Sequence, residues 1–117
     1  MVEANLVSAD SHVVEPADVW TRHIGAKWRD RAPVTSVDGE GTVHWTVDGG
    51  IPVGSVGAPS QAGVRFEDPS KVTFEGKWED VRPGCADPVP RLADMALDGV
   101  VGEVVYPTVA SRLYTVT

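Results

Sequence analysis

Cysteine and long apolar runs are both scarce in this sequence. Cys85 is the one cysteine in 117 residues, so no disulfide framework can form within them and a reducing compartment is expected. No apolar run approaches the roughly 18 residues that a membrane-spanning helix needs. The first residues have neither the basic nor the apolar region of a signal peptide. We therefore expect a cytoplasmic protein with no membrane partner.

Positive charge is scarce as well. The chain has 10 Lys and Arg against 17 Asp and Glu, which gives a formal net charge of −7. Nucleic acids and anionic lipid surfaces are bound by clustered basic side chains, and here the basic residues are scattered. The composition therefore argues against a nucleic-acid partner and leaves a small-molecule ligand as the expectation. A hydrophobic content of 42% is enough to build a core.

The N-terminal region has the pattern of a buried strand that delivers polar groups to its end. Residues 6–9 are largely apolar and are followed by Asp10, Ser11 and His12. A short apolar run that ends in ionisable groups is typical of a parallel strand with functional residues at its C-terminal end. A short helix is predicted from Pro16, because proline is favoured in the first helical turn, with Gly25 as its end.

The middle of the chain, residues 34–86, is a glycine- and proline-rich insertion of β character. Residues 34–37 and 42–47 are predicted to form a hairpin, with Asp-Gly turns at residues 38–39 and 48–49. In its second strand Val43, Trp45 and Val47 share one face. Residues 51–85 contain four prolines and support no further assignment, and loops of this length often cover a site.

The C-terminal region returns to a helix followed by a strand. Asp87 is predicted to cap a helix that begins at Pro88 and ends at Gly99, and residues 100–106 form an apolar strand that stops at Pro107. The order strand, insertion, helix, strand is that of a βαβ unit. Two parallel strands and one helix cannot cover both faces of a parallel sheet. We therefore expect an α/β fold that is incomplete in these 117 residues.

Asp10 and His12 are the residues whose spacing most favours chemistry. Residues i and i+2 of a strand point to the same face, so the carboxylate and the imidazole should lie side by side. This pair of donors suits Zn²⁺, Mn²⁺ or Fe²⁺. Two ligands do not complete a metal site, and the same tripeptide is also explained by Asp10 orienting His12 or capping the next turn.

Two motifs resemble one enzyme family. The motif Asp-x-His-x-x-Glu-Pro occupies residues 10–16, and the segment Asp-Gly-Val…Tyr-Pro runs from residue 98 to residue 107. In order and spacing they resemble the opening of the amidohydrolase-2 family, the metal-dependent barrel enzymes related to aminocarboxymuconate semialdehyde decarboxylase. Residues 29–33 and 91–108 extend the resemblance, which is weakest in the insertion. The resemblance implies that residues 1–117 are the N-terminal part of a (β/α)₈ TIM barrel, which needs roughly 250 residues when complete.

The resemblance also implies a metal site and a reaction class. Asp10 takes the first ligand place and His12 the second; the other register would put the second ligand on Val14, which cannot coordinate a metal. The cofactor is a divalent ion, zinc first and manganese or iron as alternatives. The family hydrolyses C–N or C–O bonds or decarboxylates carboxylic acids without oxidation. Its remaining histidine and aspartate come from later strands, so the catalytic residues stay unassigned and this chain is expected to be inactive alone.

Three further residues are predicted to contact substrate. Glu15 follows the ligand pair, with helix capping as its alternative role, and Tyr106 and Thr108 lie where the second strand ends, at the end of a barrel that carries active sites. The expected partner is the remainder of the barrel, in the same or a separate chain, with a homo-oligomer as a further arrangement. A stand-alone α+β binding module without catalysis is the alternative to the enzyme.

Overall fold

The fold combines a parallel βαβ unit with an antiparallel meander inserted into it. A computed structural model describes residues 5–61, 70 and 72–115. Along them lie, in chain order, β1 (Leu6–Val13), α1 (Val19–His23), β2 (Val34–Val37), β3 (Val43–Val47), β4 (Ile51–Ser55), α2 (Gly57–Ser60), α3 (Pro88–Leu97), β5 (Val100–Pro107) and α4 (Val109–Leu113). Turns of 3₁₀ helix cover Ala26–Arg31, Trp78–Asp80 and Pro83–Cys85.

The parallel unit consists of β1, α3 and β5. The two strands pair in parallel from Leu6 opposite Val100 to Val13 opposite Pro107, which confirms the predicted strand–helix–strand order. α3 begins as expected: the Asp87 side chain accepts the Val89 N–H at 2.9 Å. It ends at Leu97, and Gly99 follows the cap residue Asp98 with a φ of 69°, in the left-handed region that favours glycine. That this unit belongs to a barrel stays a prediction.

The insertion forms a three-stranded antiparallel sheet in the order β2-β3-β4. The predicted hairpin of β2 and β3 is confirmed, and its Val43, Trp45 and Val47 are all buried. The strand β4, which the sequence reading left unassigned, contains Pro52 and Gly54. Both residues weaken a strand pattern, but β4 is an edge strand and an edge tolerates proline.

The buried core joins the meander to the ends of the parallel strands. Its buried members are Val14, Val43, Trp45, Val56 and Val109. Trp78 packs edge-on against Trp45, with ring centroids 6.2 Å apart and planes at 84°. Val14 follows β1 directly and Val109 opens α4, so the core holds the meander against the C-terminal end of the parallel pair.

Helix α1 is shorter than the sequence predicts. It begins at Val19, whose N–H bonds to the Pro16 carbonyl at 3.0 Å, and not at Glu15-Pro16. It is followed by Ile24 in extended conformation. A residue that precedes proline disfavours the helical region, which keeps Glu15 outside the helix.

Candidate metal site

A bulge in β1 precedes the candidate ligands. Ser8 lies opposite Glu103 and Ser11 lies opposite Val105, so β1 advances three residues where β5 advances two. The extra residue falls between Ser8 and Ser11, the interval that contains Asp10. Bulges bend a strand and redirect its side chains, and they occur often beside active sites.

Asp10 and His12 lie side by side, as the strand spacing predicts. His12 Nε2 is 3.3 Å from Asp10 Oδ1, and the two side chains are 51% and 82% exposed. With bonds of about 2.0–2.1 Å, a tetrahedral zinc ion holds two ligand atoms roughly 3.3 Å apart. The separation and the donor types therefore fit two neighbouring ligands of one divalent ion, and the exposure leaves room for further ligands.

Tyr106 is brought to the same place by the parallel register. It pairs with His12 across the two strands, and the two rings lie 6.0 Å apart at an angle of 40°. Tyr106 as a whole is 45% exposed. Tyr106 therefore borders the Asp10–His12 pair, where a predicted substrate contact would have to lie.

The carboxylate of Glu15 is occupied by the backbone of α4. It accepts the Val109 N–H at 3.1 Å and the Ala110 N–H at 2.9 Å, and the residue is only 9% exposed. Capping was the alternative role foreseen for Glu15, but the helix it caps lies at the other end of the chain. A substrate contact by Glu15 stays a prediction, and its two oxygens already have partners.

Thr108 is also tied to the end of β1. Its hydroxyl donates to the Val13 carbonyl at 2.6 Å, and the residue precedes the first turn of α4. Glu15 and Thr108 together fasten the segment after Asp10 and His12 to the segment after Tyr106. A role for Thr108 in substrate binding likewise stays a prediction.

An ion pair between α3 and β5 lies behind the end of β1. Arg91 Nε and Nη2 pair with the two carboxylate oxygens of Glu103, and the side chains are 18% and 11% exposed. Arg91 lowers the pKa of Glu103, and a hydrogen bond from Ser11 lowers it further. Sequence reasoning missed this pair, because the apolar pattern of α3 does not indicate that Arg91 faces the sheet.

No third ligand joins Asp10 and His12 among the residues that the structure describes. In that part of the chain no group of three or more His, Cys, Asp or Glu side chains is arranged to hold a metal ion. His44 pairs instead with Asp38, Nε2 to Oδ2 at 2.7 Å, on the meander. Further ligands would have to come from outside the described residues.

A pocket of about 460 Å³ opens between α3 and the parallel strands. Two ion pairs line it, Arg82 with Asp94 and Arg91 with Glu103, and Asp98 lines it as well. Cys85 also lines it, and burial raises the pKa of the thiol. A raised pKa disfavours the thiolate, so the pocket offers no activated nucleophile at Cys85.

Comparison with known proteins leaves the function to be argued from these residues. No protein-family model matches the chain, and the search of curated proteins gives no match. In the described part of the chain, none of the helices combines the length and the apolar character needed to cross a membrane.

Proposed function

We propose that this chain is the N-terminal part of a metal-dependent amidohydrolase-like enzyme. Asp10 and His12 are its first two metal ligands, and a divalent ion, zinc first and manganese or iron next, is its cofactor. The reaction is hydrolysis of a C–N or C–O bond or non-oxidative decarboxylation of a small carboxylic acid. With one cysteine in the sequence, the proposal places the protein in the cytoplasm.

The observation that carries the proposal is the placement of the Asp10–His12 pair. Its two donor atoms are 3.3 Å apart, at the C-terminal end of a strand in a parallel pair. In barrels of parallel strands and helices the active site is built at that end. A surface ion pair elsewhere in this chain, His44–Asp38, has neither this placement nor this separation.

The open faces of the parallel unit support the proposal that this chain is one part of a larger barrel. Val7, Val101 and Val104 are exposed on β1 and β5, although parallel sheets are normally buried on both faces. Leu92 and Leu97 of α3 are also 66% and 82% exposed. The remainder of a barrel, in the same chain, a separate chain or a homo-oligomer, would cover this surface.

Each residue of the site has a defined task in this proposal. A divalent ion held there would supply Lewis-acid activation of a substrate oxygen or of a water molecule. Asp10 and His12 supply one hard oxygen and one nitrogen to hold it. Tyr106 borders them and contacts the substrate, while Glu15 and Thr108 fix the segment after β1 against α4. The remaining histidine and aspartate come from the remainder of the barrel.

The test is a zinc titration followed by NMR of the histidine side chains. Asp10 and His12 are only two of the expected ligands, and water would fill the other positions, so we expect weak but saturable shifts at His12 and none at His44. His12→Ala and Asp10→Asn should each abolish saturable binding. His44→Ala is the matched control, because it removes the imidazole of the other histidine–aspartate pair, and it should bind zinc like the unchanged chain.

Two results would contradict the proposal. One is zinc binding that survives both His12→Ala and Asp10→Asn, and the other is an unchanged chain that does not bind zinc at all. In either case the stand-alone binding module becomes the better reading of this fold.

A further inference from the structure

We propose that Arg91 is a positioning residue for the metal ligand His12. The inference rests on the proposed metal site and adds to it a residue on α3, a different element from the strand that carries the ligands. Arg91 does not contact the proposed metal position. It acts on His12 through the backbone.

The contact is a hydrogen bond to the backbone of the ligand itself. Arg91 Nη1 donates to the His12 carbonyl at 3.1 Å and to the Gly84 carbonyl at 3.2 Å. A carbonyl held at that distance fixes the peptide plane that follows His12. The Cα–Cβ direction of His12, and with it the place of the imidazole, is set by that backbone.

Arg91 is itself held in place from the other side. Its Nε and Nη2 atoms pair with Glu103 on β5, and Glu103 lies opposite Ser8 of β1 in the parallel register. The contacts form a closed ring from β1 through β5 and α3 back to β1. A ring of this kind leaves the end of β1 little freedom to shift.

The Pro83–Cys85 turn completes the support. Its Cys85 carbonyl accepts the Val14 N–H at 2.8 Å, so the turn holds the backbone directly after β1, two residues beyond His12. Gly84 lets the turn approach α3, because a Cβ there would lie 3.2 Å from the Arg91 Cα. Arg91 therefore holds both the turn and the strand that the turn supports.

Arginine suits this position better than any other side chain. A guanidinium has five N–H donors in a fixed plane, and here it serves a carboxylate and two carbonyls at once. Lysine has one nitrogen and cannot reach the same four oxygens in one geometry. The arrangement resembles the outer partners of known metal sites, which orient the ligands and whose loss lowers metal affinity about 10–100-fold.

The test measures zinc affinity and the visible spectrum of bound Co²⁺ in four variants. Arg91→Met should weaken zinc binding about 10-fold or more and change the Co²⁺ spectrum, because the ligand geometry relaxes. Arg82→Met is the matched control: it breaks the neighbouring ion pair with Asp94 of α3 and should leave both readouts unchanged. Arg91→Lys should recover part of the affinity. His12→Ala should lose binding altogether.

The outcomes separate this inference from the proposed function. If His12→Ala abolishes binding while Arg91→Met binds zinc with unchanged affinity and spectrum, the positioning role is wrong and the metal site stands. If His12→Ala retains binding, the metal site itself is wrong. If Arg91→Met does not fold by circular dichroism, Arg91→Lys and Glu103→Gln decide: unchanged affinity in both overturns the inference.

Discussion

At the scale of single residues, Glu15 shows how one buried carboxylate connects distant parts of the chain. Its two oxygens bind two backbone N–H groups of α4, which the short helix cannot satisfy internally. A negative charge there also interacts favourably with the helix N-terminus. Glu15 thus joins the end of β1 to the segment that follows β5, and it does so within a few residues of the candidate ligands.

Glu15→Gln should destabilise the protein by about 1–3 kcal/mol, because the amide NH₂ would face a backbone donor and leave it unsatisfied. The measurement is urea unfolding followed by circular dichroism. Glu79→Gln is the control, since Glu79 is exposed with only a 3.9 Å contact to Lys77, and its effect should stay within about 0.5 kcal/mol. Equal effects of the two changes would show that Glu15 does not stabilise α4.

At the scale of elements, α3 turns charged residues towards its neighbours: Arg91 pairs with Glu103 of β5, and Asp94 pairs with Arg82 beside the Pro83–Cys85 turn. Arg91 and Asp94 are partly buried, while Val89, Leu92 and Leu97 are exposed. The sequence predicted the bounds of this helix from Asp87, Pro88 and Gly99, because caps and stops are local signals. The sequence places an apolar stripe at Leu92, Met95 and Ala96, and such a stripe normally marks the buried face of a helix. In the structure Leu92 and Ala96 are exposed and only Met95 is partly buried.

The difference between local signals and contacts between distant elements also explains which parts of the site the sequence predicted. The side-by-side placement of Asp10 and His12 was predicted from the two-residue period of a strand, and it holds although a bulge lies between Ser8 and Ser11. The partners of Glu15 and Arg91 lie 94 and 12 residues away, on elements whose approach no local pattern encodes. Strand β4 was missed for a different reason, since Pro52 and Gly54 are tolerated only because the strand lies at a sheet edge.

The ion pair between α3 and β5 should make stability depend on pH. Arg91 holds the pKa of Glu103 below its ordinary value, which is about 4.3 in an unfolded chain. A lowered folded pKa contributes stability above the unfolded pKa, and this contribution is lost as the pH falls through the folded pKa. The free energy of unfolding should therefore decrease in acid.

Glu103→Gln tests this dependence, because glutamine does not titrate. Urea unfolding between pH 7 and pH 3 should show a smaller loss of stability in the variant than in the unchanged chain. The loss that remains would come from carboxylates such as Asp38 and Asp48, whose pKa values are lowered by His44 and Arg31. Identical pH dependence in both proteins would show that the pair does not couple folding to Glu103.

At the scale of the whole molecule, the buried and the exposed apolar residues lie in different regions. The core gathers around the meander, with Trp45 and Val56 fully buried. The parallel unit that carries Asp10 and His12 leaves apolar side chains of both strands and of α3 in contact with solvent. Exposed apolar patches and open sheet edges promote association with other surfaces. The surface of the parallel unit, which carries the candidate site, is therefore the surface most prone to associate with another molecule.

We expect the 117-residue chain to self-associate in sedimentation velocity, with an average mass that rises with concentration. Val104→Lys on β5 should reduce this association, because it places a charge on the open face of the sheet. Val72→Lys is a matched control, since both valines are 48% exposed and Val72 lies outside the parallel unit; it should associate like the unchanged chain. A chain that stays monomeric at all concentrations and melts in one reversible transition would contradict the expectation. Such a chain would not need a covering partner, and the binding-module alternative would gain the support that the enzyme proposal loses.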